Sequence, residues 1–87
     1  MEALRAKITA NDRAIVAAVN ERLRLVAELW QLKRAVGADR FDPERERKLR
    51  AELAAANGGP LSAEELDRLV DTLLALTKRE LGPDGER

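Results

Sequence analysis

The 87-residue chain has no cysteine, no histidine and no tyrosine, and it carries a single tryptophan and a single phenylalanine. Without cysteine there are no disulfides, no thiolate nucleophile and no thiolate metal site. Without histidine there is no imidazole base, no Ser-His triad and no imidazole ligand for a metal. Neither sign of charge is in excess, since 16 Lys and Arg balance 16 Asp and Glu. That balance argues against non-specific nucleic-acid binding, which needs a basic surplus to neutralise phosphates. Uninterrupted apolar runs extend for only a few residues, too short to span a bilayer, so no membrane partner is expected. The first seven residues carry charges and precede no apolar segment of signal-peptide type, so the expected location is the cytoplasm.

What remains is rich in Ala, Leu and Val with many charged residues, a composition that favours helix. One small all-α domain is expected over residues 1–82, with 83–87 a frayed tail. Residues 3–38 read as one long helix. Its apolar positions Leu4, Ile8, Ile15, Ala18, Leu25, Leu29, Leu32 and Val36 alternate three and four apart, with Asn11 and Arg22 in the two remaining stripe positions. Such a heptad-like seam marks a helix that packs along its whole length. The first glycine, Gly37, supplies the stop.

Length then decides the architecture. From Leu4 to Val36 a helix rises about 50 Å, whereas a compact monomer of this size is only about 30 Å across. The helix must protrude, and its seam calls for a second copy of the chain: an intertwined homodimer.

A second helix is expected from Asp42-Pro43, an N-cap followed by proline at the first helical position, to the stop at Asn57-Gly58-Gly59-Pro60. A third opens on the capping-box pattern Ser62-Ala63-Glu64-Glu65. Its buried stripe is Leu66, Leu69, Val70, Leu73, Leu74, Thr77 and Leu81.

The informative residues are polar ones on or beside apolar faces. Arg22 occupies a seam position, where a guanidinium is costly unless it is paired or meets an anion. Lys33, eleven residues on, shares nearly the same face about 16 Å away, so the two could bracket a small dianion. Arg5 is turned roughly 100° from Arg22 and in an intertwined dimer would serve the other chain's pocket. Each has a purely structural reading as well. Arg22 could pair with Glu21, Glu28 or a carboxylate of the second copy; Lys33 could complement the helix dipole; Arg5 could simply be solvated. Asp42 is explained as an N-cap, while Glu46, one turn on, could equally pair with Arg50 at i+4 or face a ligand. Thr77 and Glu80 lie on or beside the third helix's buried stripe, and spacing alone does not choose between pocket and rim.

The ordered set Leu4-Arg5-x-x-Ile8-x-x-x-Asp12, Asn20-Glu21-Arg22, Lys33, Asp42-Pro43-Glu44-Arg45-Glu46 and Leu76-Thr77-Lys78-Arg79-Glu80 resembles the all-helical AroQ-type chorismate mutases over nearly the whole chain. The resemblance implies three helices per chain in an intertwined homodimer with two shared pockets. It implies a cofactor-free Claisen rearrangement of chorismate to prephenate, on the way to Phe and Tyr. Arg22 and the other chain's Arg5 would hold the two carboxylates of chorismate, and Lys33 would donate to the ether oxygen. Glu46 and the backbone near Asp42 would hold the ring hydroxyl, with Arg45 lining the pocket and Thr77 matching the family's small hydroxyl.

Two departures stand out. Trp30 occupies a position where the family often has Gly or Ala. The family's second ether-oxygen donor aligns by strict count with Leu81, and Glu80, one residue off, is the expected substitute. A carboxyl donates only when protonated, so that role ties activity to acidic pH. Two rival readings accompany this one. The same fold could act on isochorismate as a pyruvate lyase, or on 4-amino-4-deoxychorismate; alternatively, the chain could be a non-catalytic helical dimerisation module. Association with an aldolase-type synthase, seen for some small family members, is a further possible partnership.

Overall fold

The computed structural model describes residues 1–38 and 42–82; the expected frayed tail, 83–87, lies outside them. The described residues form three helices, α1 (Glu2–Val36), α2 (Pro43–Ala56) and α3 (Ala63–Leu81). The ends follow the local chemistry. Gly37 takes a left-handed conformation (φ 73°), its N–H donating to the Arg34 carbonyl while that of Ala38 reaches back to Lys33. This is the Schellman closure, which favours glycine because a Cβ is strained at positive φ. Asp42 caps α2 by accepting from the Arg45 N–H at 3.1 Å, with Pro43 opening the helix. Ser62 caps α3 by accepting from the Glu65 N–H at 3.1 Å. Asn57 ties the intervening turn, donating to the Leu61 carbonyl and accepting from the Gly59 N–H.

The molecule measures 53 × 26 × 16 Å, and its long axis is α1 itself, whose 35 residues rise about 52 Å. α3 is the central element, packing against both α1 and α2. From α1 it covers Val19, Leu23, Val26, Ala27 and Trp30, all half-buried, and from α2 Leu49 and Leu53. Val70, at 2% exposure, is the one fully buried apolar side chain among the described residues. Leu69, expected on the buried stripe of α3, is exposed.

α1 therefore carries two apolar faces, and its own chain uses only one. Residues 1–18 are exposed throughout. The seam residues Leu4, Ile8, Ile15, Leu25, Leu29, Leu32 and Val36 are between 45% and 79% exposed. At about 100° per residue, the face that α3 covers and the seam are separated by roughly a quarter turn or more in the second half of α1. Arg22 and Lys33 lie on the border between them.

Candidate active site

A cleft of about 680 Å³ opens where the second half of α1, the start of α2 and the end of α3 converge. Each element brings polar groups for a local reason. α1 contributes Arg22 and Lys33 from the border of its covered face, together with Leu25, Val26, Leu29 and Trp30. The cap of α2 fixes Asp42, and the first turns that follow carry Arg45 and Glu46 into the lining. α3 contributes Leu74, Thr77, Lys78 and Arg79, and its glycine stop, Gly82, closes the end.

The clearest geometry is at Arg22. Its Nη1 donates to Thr77 Oγ1 at 2.7 Å, and Thr77 Oγ1 in turn donates to the Leu73 carbonyl at 2.6 Å. The hydroxyl proton is spent on that carbonyl, so the oxygen is left to accept from the guanidinium. Thr77 is 4% exposed. A buried hydroxyl thus fixes a half-buried guanidinium across two helices.

Among the described residues Arg22 has no carboxylate within ion-pair distance. Glu21, one of its candidate partners, pairs with Arg24 at 3.2 Å instead. Other arginines on this chain are paired: Arg5 with Glu2 at 3.4 Å, Arg47 with Glu44, and Arg68 with Glu65 at 3.2 Å. Arg45 and Arg79, like Arg22, line the cleft without a carboxylate partner among the described residues. Unpaired guanidiniums gathered in one concave site make a receptor for an anion.

Behind the cleft, Arg50 ties α2 to α3. It meets Asp71 at 2.5 Å, Asp67 at 3.3 Å and Glu46 at 3.6 Å. The hydrogen bond to Asp71, followed by the charges of Asp71, Asp67 and Glu46, outweighs the opposing effect of burial and raises the Arg50 pKa further. Glu46 is therefore both the expected i+4 partner of Arg50 and part of the lining, with its carboxylate held from the rear.

Of the eight residues singled out from the sequence, the fold brings Arg22, Lys33, Asp42, Arg45, Glu46 and Thr77 together. Arg5 is not among them. It stands exposed near the free end of α1, seventeen residues or about 25 Å of helix from Arg22. Glu80 is not among them either. Three residues beyond Thr77 it turns about 60° away from it, on the side opposite Leu74 and Lys78, and it is exposed. Lys78 and Arg79 line the cleft although nothing in the sequence reading gave them a role; as last-turn cations they also suit the helix dipole. Among the described residues no group of His, Cys, Asp or Glu is arranged to hold a metal, and no helix is long and apolar enough to cross a membrane.

Comparison with known proteins accords with this arrangement. The family model for chorismate mutase type II matches residues 4–80. Two solved structures of chorismate mutase from Thermus thermophilus superpose on the chain. Form II does so with a TM-score of 0.83 at 32% identity, over 90% of this chain and 89% of that one. Form I does so with a TM-score of 0.82 at 33% identity, over 87% of this chain and 95% of that one. No protein of curated function matches significantly.

Proposed function

The chain belongs to the chorismate mutase type II family, an isomerase family, and we propose that the cleft rearranges chorismate to prephenate with groups drawn from two copies of the chain. The observation that carries this reading is Arg22, a half-buried guanidinium held by Thr77 and facing no protein carboxylate among the described residues. Burying such a charge is unfavourable unless an anion completes it, and chorismate brings two carboxylates.

The reaction needs nothing that the sequence lacks. One ether C–O bond breaks as one C–C bond forms within a single molecule, with no nucleophile, redox partner or net proton transfer. The protein has to hold the folded conformer and stabilise negative charge gathering on the ether oxygen. Arg22 takes one carboxylate and Lys33, farther along the same face, takes the ether oxygen. Glu46 accepts from the ring hydroxyl, next to Asp42, and Arg45 completes the wall.

The second carboxylate falls to the partner's Arg5. The seam of α1 supports this, because it maps onto itself when the helix is reversed about Asn20. Leu4 then comes level with Val36, Ile8 with Leu32, Asn11 with Leu29, Ile15 with Leu25 and Ala18 with Arg22. An antiparallel pair in that register buries both seams. It also brings the partner's Arg5 level with position 35, within about 3 Å of Lys33 along the axis. Seven large seam side chains per copy, each gaining about 1 kcal/mol or more on losing its remaining exposure, supply on the order of 10 kcal/mol for association. The cytoplasm, where chorismate would be met, is the location that suits this reading.

The test is loss of chorismate with products separated by chromatography, run beside Arg22→Ala. Prephenate formation that falls at least about a hundredfold in the variant is expected, as for loss of a buried charge contact of about 3 kcal/mol. Turnover of isochorismate or the 4-amino analogue in place of chorismate would reassign the substrate. No turnover of any of the three would leave a helical dimerisation module.

A further inference from the structure

Five cations line the cleft, Arg22, Lys33, Arg45, Lys78 and Arg79, against two carboxylates, Asp42 and Glu46. That is a surplus of three positive charges at one site of a chain whose total charge is zero. The roles proposed above account for Arg22, Lys33 and Arg45, and the partner's Arg5 adds a further cation. A dianion is already matched by Arg22 and the partner's Arg5. Arg79 is left over.

The helix dipole explains why a cation suits the last turn of α3, but it is indifferent to which side of the helix that cation takes. Arg79 lies on the cleft side, is exposed, and has no carboxylate partner among the described residues. By contrast Arg68, eleven residues earlier on the same helix, is paired with Glu65. An exposed, unpaired guanidinium at the mouth of a concave site concentrates field at its opening and raises the local concentration of an oppositely charged solute.

We propose that Arg79 is a further substrate-binding residue, which draws the dianionic substrate into the cleft from its rim without contacting the reacting atoms. The proposal rests on the reading of the cleft as the mutase site. Because Arg79 acts through its field, its contribution is screened by salt, with a Debye length of about 8 Å at physiological ionic strength. A contact made inside the cleft is screened much less.

The experiment is steady-state kinetics of the full chain and of Arg79→Gln from about 10 mM to 0.5 M added salt, with Arg79→Lys, Arg68→Gln and Arg22→Ala in parallel. In low salt Arg79→Gln should lower kcat/KM about three- to tenfold, through KM, with kcat changed less than about twofold. The deficit should close as salt rises. Arg79→Lys should keep the parent's kcat/KM, and Arg68→Gln, which removes the same charge from the same helix away from the cleft, should match the parent throughout. A deficit that persists in high salt, or one that falls on kcat, or one shared by Arg79→Lys, would overturn the proposal. So would an Arg79→Gln variant with parental kcat/KM at every salt. Arg22→Ala separates the two levels: if it retains parental turnover, the reading of the site itself fails, whatever Arg79 does.

Discussion

At the scale of single residues the site is organised by one hydroxyl. Thr77 gives its proton to the Leu73 carbonyl and its lone pair to Arg22, so its methyl packs while its oxygen aims a charge. Thr77→Val keeps the shape and removes the acceptor. A hydrogen bond to a charged group contributes about 1.5–3 kcal/mol, so kcat/KM should fall about 10- to 100-fold with little loss in thermal midpoint, while Thr77→Ser should stay near the parent. Parental kinetics in Thr77→Val would show that Arg22 does not depend on this bond. Six of the eight residues named from sequence meet in the cleft because each sits at a helix phase or a cap that local rules fix. Glu80 stands one residue, about 100° of helix, from the strictly matching Leu81, so a count along the chain does not decide which of the two faces a ligand. Lys78 and Arg79 escaped because nothing in the spacing marks which side of the last turn faces a cleft.

At the scale of elements, α2 is the least apolar helix and depends on its ends and on Arg50. Asp42 both caps it and lines the cleft, so stability and activity meet in one side chain and can be separated by choice of substitution. Asp42→Ala should lose about 1 kcal/mol of folding stability, read as a lower urea midpoint. Asp42→Asn, which can still cap, should keep the midpoint, and any kinetic change it shows then reports on the cleft alone. Equal midpoints in the two variants would mean that the cap contributes nothing measurable. The three helices were legible to within two residues at each end, since Gly37, Asp42-Pro43 and Ser62 are strong local signals. Which face of α1 its own chain covers was not legible. Periodicity favours the longer stripe, yet α3 packs on Val19, Leu23, Val26 and Trp30, a shorter stripe distinguished only by tertiary contact.

At the scale of the whole molecule, the chain is a rod 53 Å long that leaves the seam of α1 exposed. The proposed shared pocket has a consequence that a self-contained pocket does not. Arg5→Ala and Arg22→Ala should each be inactive alone. Unfolded together and refolded as a mixture, they should recover about a quarter of parental activity, because half the dimers are mixed and one of the two pockets in each escapes both lesions. Absence of any recovery, with mixed dimers demonstrated by mass, would place both arginines in the same chain's pocket, whereas an Arg5→Ala variant active alone would place Arg5 in neither. Leu25→Glu, at the middle of the seam, provides the companion case, a monomer by sedimentation.

The chain's scarcity of aromatic residues has an optical counterpart. Trp30 is the only indole and there is no tyrosine to transfer excitation to it, and it stands in the wall of the cleft beside Arg22 and Lys33. Light absorbed at the red edge of the protein spectrum is therefore emitted from one place. The molecule carries an unlabelled fluorophore whose colour and brightness report on the wall of that cleft.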